Sequence, residues 1–365
     1  MGKSRAMVLE KFNSPLKMRE YPLPEPGEKE ILVKVTAAGV CGSDVHMWKG
    51  EDPRTPLPII LGHEGAGKIA ALKGESFDIM GNRVREGDAV LWHRGVTCGD
   101  CYYCAVIKEP SLCQNRLVYG INRSSKESPH LRGAYAEYIL LDAATTLFPV
   151  PKNIDHSVLV AATCSGSTAA HAFDMASPTI GDSVLVQGPG PLGLFAIALA
   201  KARGTGKIIV IGGTASRLEM CRRFGADILL DRKAKNIEER RHIIMEATGG
   251  RGVDYAFEAV GLPEVVEEGV TLVRPGGAYM VAGFGEPRGQ VALDCFHDIV
   301  KRNLHLQGVW VSDVRHTYMA YSLVLQNSAL FSDMISHRFN LEDATAALKA
   351  MEEKKALKAV IQMED

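Results

Sequence analysis

Residues 183–187, Ser-Val-Leu-Val-Gln, run directly into Gly188-Pro189-Gly190-Pro191-Leu192-Gly193, and a mostly apolar stretch reaching residue 203 follows. This junction restricts the fold more tightly than any other part of the chain. A strand, a G-x-G-x-x-G turn and the start of a helix form the setting in which such a turn binds a dinucleotide. Gly188 permits the tight turn, Gly190 lets backbone N–H groups approach a pyrophosphate, and Gly193 lets helix and strand pack closely. Pro191 and Leu192 open the helix, whose N-terminus then faces the negative charge. Glycine-rich turns also arise for steric reasons alone, but here a second apolar run, residues 207–211, completes the strand–helix–strand unit.

The alternation continues with a helical pattern at 216–224, strands at 228–230, 255–259 and 278–282, and a helix at 237–248. Right-handed crossovers between parallel strands make this an α/β, doubly wound sheet of about six strands, a Rossmann arrangement. Before it, between residues 6 and 150, the apolar runs are short and β-rich (31–35, 89–92, 135–141) and separated by Gly- and Pro-rich turns. After residue 310 the pattern is helical again, notably at 341–353, and the apolar tail at 357–363 is expected to rejoin the first region. The expected domains are 1–165 with 311–365, and 166–310.

A chain of 365 residues that is 46% apolar can bury two such cores. With 42 basic against 43 acidic residues, no global field attracts nucleic acid or an anionic membrane. The longest apolar segment, 192–202, is well short of the roughly 20 residues of a membrane span. The opening residues lead into too short an apolar stretch for a signal peptide, and Ala6 stands where a myristoylation pattern needs Ser or Thr. The expectation is a cytoplasmic enzyme acting on a small molecule, with neither a nucleic-acid nor a membrane partner.

Where the second strand ends, a carboxylate normally holds the ribose 2′-hydroxyl. This chain has Gly212-Gly213-Thr214-Ala215-Ser216-Arg217 there. Gly212 removes the repelling charge, while Thr214, Ser216 and Arg217 can bond a 2′-phosphate, so NADP is favoured and NAD stays open. The alternative for Arg217 is a solvated residue at a helix start.

Of eight cysteines, four crowd into sixteen residues, Cys98, Cys101, Cys104 and Cys113, and four are scattered. A loop can wrap those four thiols around a tetrahedral ion unaided. Four thiolates in a closed site suit structural zinc and leave no position open for chemistry. An iron–sulfur cluster or four unrelated thiols are the alternatives. Cys41, His63 and Cys164 taken singly read as buried small or satisfied residues.

In their order along the chain, Cys41 in Gly-Val-Cys-Gly-Ser-Asp-Val-His, Gly62-His63-Glu64, the four-cysteine loop, Cys164 and the Gly188–Gly193 turn resemble the zinc-containing alcohol dehydrogenases of the medium-chain dehydrogenase/reductase superfamily. The likeness spans nearly the whole chain. It implies a mostly β GroES-like catalytic domain built from both chain ends, a Rossmann domain inserted between them, two zinc ions per chain, and a homodimer or homotetramer. It also implies that Cys41, His63 and Cys164 ligate a catalytic zinc, with Glu64 beside the metal and Asp44 orienting His63. Ser43 and His46 match the proton relay, which runs through the cofactor ribose, although Ser43 can instead cap its helix and His46 can be a surface residue. Two departures stand out: the interval from Cys104 to Cys113 is one residue longer than the family pattern, and Lys358 replaces an Arg that contacts the cofactor pyrophosphate in many relatives.

The reaction so implied is reversible hydride transfer between a zinc-bound alcohol and the nicotinamide, with secondary alcohols, polyols and anionic hydroxy compounds all open as substrates. A zinc-lacking quinone or enoyl reductase, or a non-enzymatic dinucleotide-binding protein, would have no use for the full ligand set. Arg94, in Trp92-His93-Arg94-Gly95, occupies a position expected to line the substrate pocket. A guanidinium there favours anionic or polyhydroxy substrates. Its alternative is to point outward or to brace the loop through a carboxylate.

Overall fold

Strands Val184–Gln187 and Ile208–Gly212 are buried at every residue, as parallel strands covered by helices on both faces must be. They sit at the centre of a six-stranded, wholly parallel sheet ordered Ile228–Asp231, Ile208–Gly212, Val184–Gln187, Val253–Glu258, Val273–Val281, His305–Gly308. The computed structural model describes residues 2–363; Met1, Glu364 and Asp365 lie outside the described residues. The chain divides into two compact units, Ser165–Ser312, which holds this sheet, and Met1–Cys164 with Asp313–Asp365.

In the first of these, helix Pro191–Ala202 starts with proline at its first turn, where no N–H is missed, and residues 193–200 are all buried. Helix Ile237–Ala247 starts with a capping box in which Asn236 and Glu239 satisfy each other's backbone N–H groups. Two elements escape a reading by apolar periodicity. Helix Ser165–Met175 opens Ser-Gly-Ser-Thr, poor helix formers held in place by burial. The sixth strand, His305–Gly308, is exposed throughout and hence needs no apolar run.

The other unit is mostly β. Its main sheet runs Leu147–Pro149, Ala89–Trp92, Glu64–Leu72, Ile31–Val40, Lys358–Gln362, Ile335–Phe339, with Tyr138–Leu141 also paired to Ile31–Val40. The C-terminal strand Lys358–Gln362 lies antiparallel to Ile31–Val40, so the tail does return to the first part of the chain. Strand Ile335–Phe339, alternately half-buried and exposed, is hidden in the sequence within an otherwise helical stretch. The helix expected at 341–353 is a 3-10 turn, Leu341–Asp343, leading into helix Ala344–Glu352. Among the described residues no helix is long and apolar enough to cross a membrane.

Candidate active site and metal centres

Strand Ile31–Val40 delivers Cys41 to the N-cap of helix Gly42–Lys49. Three residues on, Asp44 reaches back to accept a hydrogen bond from the Cys41 backbone N–H at 2.8 Å, the reciprocal arm of a capping box. Its other oxygen lies 3.1 Å from His63 Nδ1, which turns His63 Nε2 towards Cys164 Sγ at 3.3 Å. His63 enters the site because strand Glu64–Leu72 pairs with Ile31–Val40, placing Glu64 opposite Gly39. A side chain on Gly39 would run into the Glu64 carboxylate, so the close approach needs glycine. Cys164, at the end of the 3-10 turn Val160–Thr163, brings its sulfur within 3.9 Å of Cys41 Sγ. Burial lowers the basicity of His63, but the charge and hydrogen bond of Asp44 outweigh it and hold the imidazole at about 10.

One ligand atom from each of Cys41, His63, Glu64 and Cys164 lies within 4.8 Å of the others. Glu64 Oε2 is paired with Lys358 Nζ at 2.5 Å, both fully buried, while Glu64 Oε1 is buried with no hydrogen-bond partner. Two thiols, an imidazole and an orphaned carboxylate oxygen, packed out of water, are a donor set that a divalent cation of zinc's borderline softness satisfies. Lys358 is thereby committed to Glu64. Ser43 Oγ lies 3.9 Å from Cys41 Sγ, and His46, one turn further along the same helix, has Nδ1 2.7 Å from Glu51 Oε2.

Cys98, Cys101, Cys104 and Cys113 form a second cluster, again with all four sulfurs within 4.8 Å of one another. The segment between Cys104 and Cys113 contains a π-helical turn, Tyr103–Ile107, closed by Lys108 in the left-handed region, and a 3-10 turn, Pro110–Leu112. A π turn holds more residues than an α turn, which accommodates the longer interval. Backbone N–H donation, first from Cys104, brings the Cys101 thiol down to about 6, towards the ionised form a metal binds.

On the Rossmann unit, Gly188 has φ +113, and a Cβ on Gly193 would strike the Gly188 carbonyl. A Cβ on Gly190 would meet nothing within 4 Å, which leaves the open cradle that a pyrophosphate needs beside Pro191 and Leu192. Gly212 is closed in: its Cβ would lie 2.7 Å from the Pro189 ring and 2.8 Å from Leu218. The missing carboxylate is thus also a packing requirement. Thr214 is the N-cap of helix Ala215–Phe224 but makes no side-chain cap, and Ser216 and Arg217 lie in the first turn.

The chain matches the alcohol dehydrogenase GroES-like domain over residues 27–152 and the zinc-binding dehydrogenase domain over residues 191–327. It is 32% identical to 5-exo-hydroxycamphor dehydrogenase of Pseudomonas putida, with 99% of each chain covered. It is a zinc-containing alcohol dehydrogenase of the medium-chain superfamily. The crystal structure of an alcohol dehydrogenase from Thermotoga maritima superposes with a TM-score of 0.97 at 46% identity, covering 100% of both chains. A protein of Sinorhizobium meliloti 1021 described as a zinc-binding dehydrogenase, bound to NADP, superposes with a TM-score of 0.86 at 25% identity, covering 99% of this chain and 100% of its own. The mostly β unit is therefore GroES-like, and the enzyme is an oxidoreductase that uses zinc and a nicotinamide cofactor on the CH–OH group of a small alcohol.

In this alcohol dehydrogenase Arg94 points inward. It is 5% exposed, and its Nη1 donates to Cys164 Sγ at 2.7 Å. Sequence reasoning missed three residues, two of them beside Arg94 and the third on the Rossmann unit. The Arg116 guanidinium lies over Gly95, 2.5 Å from where a Cβ would stand, so glycine there lets a second cation approach Arg94. Burial, and then the charge of Arg94, bring Arg116 down to about 9. His93, bonded through Nδ1 to Thr317 Oγ1 at 2.8 Å, is pushed well below its usual value by burial and then by Arg116 and Arg94. The third is Arg232, which follows strand Ile228–Asp231. Its N–H donates to the Gly212 carbonyl at 2.8 Å, and its Nε lies 2.9 Å from the Cβ position of Gly213. The run Asp231-Arg232-Lys233 closing the third strand was the available signal.

Proposed function

We propose that this alcohol dehydrogenase holds two zinc ions per chain and prefers NADP to NAD. The observation that carries the catalytic site is the convergence of Cys41, His63, Glu64 and Cys164, from segments far apart in sequence, with Asp44 fixing the imidazole. Cys41, His63 and Cys164 would hold the catalytic ion, with Glu64 beside it and its charge balanced by Lys358. Cys98, Cys101, Cys104 and Cys113 would hold the structural one. When bound, the catalytic zinc supplies a Lewis acid that makes the substrate hydroxyl acidic near neutral pH. The nicotinamide, when bound, takes or returns the hydride.

The chain's own groups do the rest. Asp44 keeps Nδ1 of His63 engaged, so that Nε2 faces the cluster. Ser43, beside Cys41, would accept the hydroxyl proton while releasing its own to the cofactor ribose, when the cofactor is bound, and His46, held by Glu51, would take it on from there to solvent. The N-terminus of helix Pro191–Ala202 faces the pyrophosphate across Gly190.

The NADP preference rests on two cations flanking the end of the second strand, Arg217 on the helix and Arg232 packed over Gly213, with Gly212 where a carboxylate usually ends that strand. Measured kcat/KM should favour NADP, and Arg232→Ala should reduce that ratio about 10-fold or more, leaving kcat/KM with NAD little altered. Equal or better use of NAD by the unaltered enzyme overturns the preference. Gly212→Asp, the obvious exchange, tests it poorly, because the new side chain would collide with Pro189 and Leu218.

A homo-oligomer is proposed as well, supported by the edge strand His305–Gly308, which pairs only with Val273–Val281 among the described residues and exposes Leu306 and Trp310 beside it. Dimer and tetramer are both compatible with that edge. The eight free thiols fit a reducing compartment, and the cytoplasm is the proposed location.

A further inference from the structure

A guanidinium carries five N–H donors and no acceptor, so a buried one calls for several acceptors around it. Arg94 is almost wholly buried, yet among the described residues its guanidinium donates to no oxygen, only to a sulfur, Cys164 Sγ. Its Nε is buried without any acceptor. Among the described residues no carboxylate pairs with it, and the acids around the site are already engaged. Glu64 is held by Lys358, Asp44 by His63, Asp52 by Arg54 and Asp313 by His316. The neighbouring cation, Arg116 over Gly95, adds positive charge beside Arg94, whose guanidinium has among the described residues no acceptor but the Cys164 sulfur, the atom a zinc ion would engage. Two buried guanidinium groups this close repel each other, and an anion placed against Arg94 relieves the repulsion and gives its guanidinium an acceptor.

We infer that Arg94 anchors an oxyanion on the substrate, so that the alcohol handled here is a short hydroxy acid whose anionic group lies a few bonds from the reacting carbinol. This rests on the dehydrogenase reading above and deepens it. The reach is set by the site: Nη1 stands 2.7 Å from Cys164 Sγ, itself within 4.8 Å of the other ligand atoms, so a hydroxyl held at the cluster and a carboxylate held by Arg94 belong to one small molecule. A neutral alkyl alcohol gains nothing from the guanidinium, whereas an oxyanion gains a charge-assisted hydrogen bond in a site out of water.

The test is calorimetric binding to the zinc-loaded enzyme of two matched pairs, 2-hydroxypropanoate against propane-1,2-diol and 3-hydroxybutanoate against butan-2-ol, for the unaltered protein, Arg94→Leu and Arg94→Lys, with metal content determined for each. Each acid should bind about 10-fold or more tightly than its neutral partner. Arg94→Leu should collapse that ratio towards one, and Arg94→Lys should keep part of it, because a lysine retains charge without the fork. If Arg94→Leu loses its metal, Arg116→Leu, which leaves the contact to Cys164 in place, decides the matter by lowering the same ratio. Equal binding of acids and neutral alcohols, or a ratio unmoved by these replacements, overturns the inference. Turnover of neutral alcohols without acid preference would sink the anion anchor alone, whereas tight acid binding without turnover of any alcohol would sink the dehydrogenase reading.

Discussion

The two cysteine clusters of the GroES-like unit have similar dimensions and opposite origins. Cys98, Cys101, Cys104 and Cys113 come from one loop of sixteen residues, and Cys98 is exposed at the surface. Cys41, His63, Glu64 and Cys164 come from a strand end, a strand start and a 3-10 turn, and their spacing is set by the register between Ile31–Val40 and Glu64–Leu72. The loop is held by its own turns and by whatever the sulfurs bind. The buried cluster is held by the sheet, and its charges are balanced by Lys358, from the C-terminal strand, and by Asp44, three residues after Cys41. A metal should therefore act on the loop through folding and on the buried cluster through chemistry.

The sharpest way to break this contrast is Cys164→Ala. It should remove one of two zinc ions and lower turnover about 1,000-fold or more, because Lewis-acid stabilisation is worth several kcal/mol, while far-UV dichroism stays unchanged. Full activity in metal-free protein would end the zinc mechanism.

Asp44→Asn comes next. The amide keeps the shape but has one acceptor oxygen where the carboxylate uses two, one for the Cys41 N–H and one for His63, and it lacks the charge, so the hold on His63 weakens. Zinc affinity at the buried cluster, measured by competition with a chelator, should fall about 10- to 100-fold, with the loop site unaffected. An unchanged affinity would mean that the sheet alone positions the imidazole.

The smallest effect on turnover belongs to Cys101→Ala. Freshly prepared protein should lose one zinc and less than about 10-fold in kcat, but its loop should be cut by protease far sooner than in the unaltered enzyme. A loss of turnover as severe as that of Cys164→Ala would erase the distinction between the two clusters.

Residues 183–193 were enough for the Rossmann unit, because a buried parallel strand, a glycine turn and a proline-led helix are all local and each agrees with the next. The four-cysteine loop was legible for the same reason. Cys41, His63 and Cys164 were not legible from spacing, since nothing within each segment says that the three will meet; only the family likeness linked them. Helix Ser165–Met175 and strand His305–Gly308 were missed because one is made of poor helix formers and the other is an exposed edge.

Composition and local pattern thus determined the class of fold, the glycine turn between strand and helix and the crowding of four cysteines into one loop, all of which depend on near neighbours in the chain. Long-range packing settled the remainder: Lys358 meets Glu64 across 294 positions, Arg94 turns inward onto Cys164, Arg116 closes over Gly95, and Arg232 reaches Gly213 from the third strand. These are contacts of charged side chains brought about by long-range packing, and a charged residue in isolation carries no sign of which distant partner the fold will set before it.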